Sequence, residues 1–177
     1  MDLYESREYA IRPVVEAILM HPDFYEGPAM VKPPIVYIAG LLRARRRGIE
    51  TEWAWICDLA GQRLFRPPNV AGWDDTRWLD TSTFRGRWIA ANEVAGYDTV
   101  DDEADYQVDE TSKLAVNRAL RFWGNPKVSD RTRKTLERYA DGVAKAATAD
   151  WQQQTFRALR QNALRMLIAT SPEMQTA

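Results

Sequence analysis

The sequence predicts an all-α protein: a single compact helical domain over residues 1–177, with about seven helices, one long ordered loop rich in Pro, Gly and Trp, and one acidic loop. Two observations carry that prediction. Apolar residues recur at three- and four-residue steps along most of the chain, while sustained alternation at two is absent. The periodic stretches are separated by breaks containing Gly or Pro, with Ser, Thr or Asp where several of the following helices would start.

The first helix is expected over about Ser6–Met20, with Tyr9, Val14 or Val15, Ile18 and Leu19 on one side; Pro13 either kinks it or marks its true start. His21-Pro22 ends it, because a residue before proline avoids helical angles. The next helix begins near Pro33-Pro34, carries Ile35, Ile38, Ala39, Leu41 and Leu42, and stops at Gly48. Its basic last turn, Arg43-Ala44-Arg45-Arg46-Arg47, complements the helix dipole. A third helix is expected from Glu52 to about Leu64, with Thr51 as N-cap and Trp53, Ile56, Leu59 and Ala60 buried.

Periodicity then fails. Phe65 to Asp75 holds two prolines, a glycine and paired aspartates, and reads as irregular structure, with Trp73 inside it and Trp78 just beyond. A helix resumes at Thr81 or Ser82, runs through Phe84, Trp88 and Ile89 to about Val94, and is closed by Gly96. From Asp98 to Glu110 seven carboxylates occur with no basic residue, so residues 97–110 read as an acidic surface loop or mobile connection. Three more helices follow: Thr111 to Trp123, stopped by Gly124-Asn125-Pro126; Ser129 to about Ala147; and Asp150 to Ala169, ended by Ser171-Pro172.

A balance of 24 basic against 25 acidic residues, with net charge −1, argues against a nucleic-acid partner, which usually meets a basic excess. One cysteine excludes an internal disulfide framework, and one histidine excludes a metal site that needs two. Neither a metal site nor a cofactor is expected. No apolar run reaches the roughly 20 residues of a spanning helix, so no membrane span is expected in this chain. His21 lacks a local triad and reads as a helix-terminal residue stacking on Phe24 or Tyr25. Cys57 reads as a small buried apolar side chain. Asp101, Glu103 and Asp105 lack the central glycine and terminal glutamate of a calcium loop. Helix polarity suffices to explain the Arg43–Arg47 cluster without a phosphate ligand.

Five of the seven tryptophans fall between Trp53 and Trp88. Trp53 and Trp88 are expected in the core, whereas Trp73 and Trp78 sit in the proline-stiffened loop. Rigid prolines, a glycine permitting positive φ, and indole N–H donors make a fixed aromatic surface suited to a saccharide or an extended peptide. The candidate binding residues are Trp73, Trp78, Asn69, Asp74, Asp75 and Arg87, with Asp80, Arg85 and Asn92 nearby. The competing reading has the tryptophans plugging the core and the arginines bonding loop carbonyls.

The string Gly61-Gln62-Arg63-Leu64-Phe65-Arg66-Pro67-Pro68-Asn69-Val70-Ala71-Gly72-Trp73, followed by Trp78-Leu79, resembles the central motif of a bacterial family known only as domain of unknown function eighteen hundred. Pro22-Asp23-Phe24 with Val31-Lys32-Pro33-Pro34, Leu42-Arg43-Ala44, Arg87, and the closing Leu167-Ile168-Ala169-Thr170-Ser171-Pro172-Glu173 match further landmarks in order. His21 replaces a usual serine, and Ala60 a common methionine. No landmark aligns between Gly96 and Gln154. The resemblance implies that the chain is the C-terminal portion of a longer, exported protein in an extracytoplasmic setting. It also implies a secreted partner of the alkaline-phosphatase or sulfatase superfamily, and carries no established activity. Two functions follow: a non-catalytic module binding a protein or polymer through the Trp73/Trp78 loop, or a fragment of a hydrolytic or redox enzyme using Arg87, Asp74, Asp75 and His21. Residue patterning leaves oligomeric state open.

Overall fold

The computed structural model describes residues 2–27, 29–49, 53–101 and 110–177. Among these residues there are ten α-helices and no strand, so the all-α class holds; one isolated bridge pairs Val31 with Thr176. The chain divides into two compact units, Met1–Met30 and Val31–Ala177.

The first unit holds α1 (Asp2–Ser6), α2 (Ile11–Leu19) and α3 (Pro22–Glu26). The expected first helix is therefore broken, with Glu8 and Tyr9 at positive φ between its two pieces. Pro13 lies in the first turn of α2, where its missing N–H costs nothing, so it marks a start rather than a kink. Pro22 starts α3 in the same way, and the His21 ring accepts the Asp23 N–H at 3.3 Å as its N-cap. His21 is thus a helix-terminal residue, as expected, and the neighbouring Phe24 and Tyr25 pack edge-to-face on each other.

The second unit begins with α4 (Pro34–Ala44) and α5 (Trp53–Leu59). The chain then passes through a loop ending in a 3-10 turn, Asp75–Arg77, to α6 (Thr81–Gly96). After the acidic stretch come α7 (Ser112–Phe122), α8 (Asp130–Ala146), α9 (Asp150–Ala169) and the single turn α10 (Pro172–Gln175). Helix α6 packs on α4, α5 and α9, and α7 packs on α8 and α9. One core runs through the unit, including Tyr37, Ile38, Trp53, Ile56, Val94, Val116, Leu120, Trp123, Leu164 and Ile168. Ser129 caps α8, and Thr111, expected as the start of its helix, caps α7, each side chain accepting a backbone N–H of the first turn. Thr51 and Glu52, expected to open α5, lie outside the described residues, as do Asp102 to Asp109 of the acidic stretch.

Three packing details depart from the sequence expectation. Helix α4 stops at Ala44, and Arg45 and Arg47 both pair with Asp98 rather than completing a basic last turn. Their guanidinium groups also stack on Phe122 and Tyr97. On α6 the buried stripe is Arg87, Ala90, Ala91 and Val94, one position off Trp88, which is 50% exposed. On α5, Leu59 is exposed where burial was expected, while Cys57 is buried as expected, which pushes its thiol pKa up. No helix of the described residues is long and apolar enough to cross a membrane.

Candidate functional site

The loop that carries the motif starts where α5 stops. Gly61 adopts φ +92°, its N–H donates to the Asp58 carbonyl, and the Gln62 N–H donates to the Cys57 carbonyl, closing the helix with a left-handed cap. The Gln62 side chain turns inward, where its Oε1 accepts the Ile35 N–H at 3.0 Å and ties the loop to the first turn of α4. The Arg66 N–H donates to the Arg63 carbonyl across a short turn, with Phe65 inside it at φ +58° and almost fully solvent-exposed. Gly72, at φ +92°, closes a second turn on the Asn69 carbonyl, and Asn69 Oδ1 accepts the Ala71 N–H. Asp74 Oδ1 then accepts both the N–H and the hydroxyl of Thr76, capping the 3-10 turn.

The far end of the loop is anchored from beneath by Arg87. Its guanidinium is fully buried and donates to the carbonyls of Trp78 at 3.0 Å and Lys32 at 2.6 Å, and to Gln175 Oε1 at 3.2 Å. The Tyr37 ring lies alongside, its hydroxyl donating to the Ala169 carbonyl, and burial pushes its pKa up to about 12. Gln175 donates to the same Ala169 carbonyl, and Lys32 Nζ donates to the Met174 carbonyl. Three segments far apart in sequence thus close on one cation, and a buried cation is tolerable only with such a full set of acceptors. These segments hold the Lys-x-Pro, Trp-loop and C-terminal landmarks, so the motif is in large part a structural knot.

Outside that knot the loop, the end of α5 and the start of α6 enclose a groove of about 480 Å³. Its wall is Asp58, Gly61, Arg63, Arg66, Pro67, Pro68, Trp73, Asp74, Arg77, Trp78 and Thr83. Trp73 is half-buried in that wall, whereas Trp78 is 7% exposed and belongs mostly to the packing beneath. Both indole N–H groups are enclosed without an acceptor among the described residues. Arg77 pairs with Asp80 at 3.1 Å, Arg63 lies 4.0 Å from Asp58, and Arg66 has no side-chain partner among the described residues. The groove can offer guanidinium donors, carboxylate acceptors and an indole surface to one ligand.

Of the residues chosen from sequence, Trp73, Trp78 and Asp74 meet at this wall. Asn69 and Asp75 belong to the same loop but not to the wall, Asn69 serving its own turn. Arg87 sits behind the loop and holds a Trp78 carbonyl, the second of the two roles considered for it. His21 caps α3 in the other unit. The sequence reading missed Arg63, Arg66, Arg77 and Asp58. The signal was present: three arginines flank the prolines and tryptophans of the loop, but irregular backbone gives no period from which to infer that they share a side.

In the acidic stretch, both described ends are tied down. Asp98 takes Arg45 and Arg47, and Glu110 pairs with the buried Arg160 at 2.6 Å. Glu103 and Asp105 lie outside the described residues.

No curated protein and no solved structure matches the chain. A family model described as "Protein of unknown function (DUF1800)" matches residues 1–176, through the middle segment where the motif has no landmark. The knot around Arg87 and the loop it anchors are therefore features of a protein that belongs to the DUF1800 family.

Proposed function

We propose that the chain is a non-catalytic binding module that seats a partner protein or a polymer in the groove beside Trp73. The observation that carries this reading is the groove itself: about 480 Å³, walled by two indoles, two prolines, three arginines and two carboxylates. Its loop is fixed by side-chain-closed turns and by the Arg87 anchor. Binding sites are concave, mixed in polarity and held on rigid scaffolds, because a preordered wall loses little entropy when it meets its ligand. The catalytic alternative has less support. Arg87, which it needed beside a reacting group, is enclosed and engaged with three oxygen acceptors. The setting implied by the family is part of the same proposal: an exported protein acting beside a secreted partner of the alkaline-phosphatase or sulfatase superfamily.

The test is a fragment screen on the ¹⁵N-labelled chain, read as amide shift changes. Polar aromatic and anionic fragments are expected to perturb residues 58–83 together, and Trp73→Ala should abolish those shifts with the helical circular dichroism unchanged. Hits that gather elsewhere, such as the apolar cavity between α4 and α5 lined by Ile38, Leu42 and Trp53, would overturn the assignment.

A further inference from the structure

Resting on the groove reading above, the geometry points to one ligand class: we propose that the groove binds an acidic oligosaccharide, a glycan bearing uronate carboxylates. The wall leaves guanidinium donors unspent. Arg66 has no side-chain partner among the described residues, and Arg63 is held only loosely, 4.0 Å from Asp58. The turn closed by the Arg66 N–H on the Arg63 carbonyl keeps both on the groove wall. Two guanidinium groups with open donors favour a planar carboxylate, which they can take in paired N–H···O bonds.

A bare anion would leave the rest of the wall unused. Asp58 and Asp74 also line the groove, and Asp74 uses only its Oδ1 in the cap of the 3-10 turn. Carboxylate oxygens accept only, so a matching ligand must bring O–H or N–H donors as well as negative charge. A uronate residue does both: one carboxylate, several hydroxyls, and an apolar ring face to lie against Trp73 and the Pro67-Pro68 pair. An acid-rich peptide brings carboxylates toward Asp58 and Asp74 with few donors beyond its main chain, so like charges would meet unrelieved.

The experiment is calorimetric titration of the full chain with three probes of matched length: an oligogalacturonate, the corresponding neutral galactose oligomer, and an oligoglutamate. Arg66→Gln, Arg66→Lys and Trp73→Ala are compared with the parent, each checked for unchanged melting. The expected result is measurable affinity for oligogalacturonate alone, weakening with added salt and falling about tenfold in Arg66→Gln, with partial recovery in Arg66→Lys. Equal affinity for the neutral oligomer, lost in Trp73→Ala, overturns the acidic class while leaving the groove a binding site. Preference for oligoglutamate overturns the saccharide assignment. Oligogalacturonate binding indifferent to both Arg66→Gln and Trp73→Ala overturns the groove reading together with this one. No heat with any probe overturns the ligand class, and the fragment screen then decides separately whether the groove binds at all.

Discussion

Replacing Gly86 by alanine isolates the contact on which the groove's scaffold rests. In a helix interior, alanine for glycine normally stabilises by about 1 kcal/mol, because glycine loses more backbone freedom on folding. At Gly86 an added Cβ would stand 2.6 Å from the Leu59 carbonyl carbon and 2.7 Å from the Ala60 Cα, and nearer still to the Ala60 nitrogen. All three are backbone atoms of the α5 terminus, so no side chain can swing aside. Ordinary contact begins at about 3.4 Å, which means α5 and α6 must separate by most of an ångström. Forcing one methyl group into a packed interface costs about 1–3 kcal/mol, and here the displaced element is a whole helix end. The clash therefore exceeds the propensity gain, and a net loss near 2 kcal/mol lowers Tm by roughly 4–8 °C for a chain of this size. Gly142, on α8, is the matched control: nothing lies within 4 Å of its added Cβ. Gly142→Ala should raise Tm by a few degrees at most. Thermal melts followed by far-ultraviolet circular dichroism measure both. A Gly86→Ala protein as stable as the parent, or two variants shifting the same way, would refute the close-approach reasoning.

Other perturbations bear on the same framework. Arg87→Met leaves the Trp78 and Lys32 carbonyls and Gln175 Oε1 without their donor, and should cost roughly 3–5 kcal/mol in urea unfolding, whereas a groove-only role would leave stability unchanged. Glu173 is held at a pKa of about 2. Partial burial opposes its charge, but hydrogen bonds from the Ser129 N–H and the Thr132 hydroxyl outweigh that. Because the folded pKa is depressed, its contribution is complete above about pH 4.5 and is lost as pH falls toward 2. Glu173→Gln should flatten the acid melting profile in that window. Trp123 is buried and donates its indole N–H to the Arg165 carbonyl at 2.8 Å, so Trp123→Ala should cost about 3–5 kcal/mol. Trp88→Ser removes a half-exposed ring and should cost clearly less, about 1–2 kcal/mol; equal losses from the two would contradict the burial pattern.

Much of the architecture was legible in the residues because helix termini are written locally. Thr111 and Ser129 open the helices expected to start there, and Gly124 ends α7 at φ +81° as a left-handed terminator must. Prolines misled in one respect. Pro22 and Pro172 stop the helices before them, yet each also opens a single helical turn, since the residue that cannot continue a helix is well suited to begin one. The loop was recognisable as irregular and aromatic, but the placing of its arginines around one groove was not, because that depends on two glycines at positive φ and on contacts with distant segments.

The residues alone made legible that the chain is helical, where several of its helices end, the Ser129 cap, and the Pro/Trp loop as its distinctive irregular element. Tertiary packing decided which face of each helix turns inward. On α6, close approach to α5 selected the stripe bearing Gly86, Arg87, Ala90 and Ala91, so the large Trp88 points to solvent and a full positive charge goes into the interior. The physical reason is distance. Periodicity reports apolar spacing along one helix, whereas the fate of Arg87 was set by acceptors at Lys32, Trp78 and Gln175, which only the folded chain brings within reach of a single guanidinium.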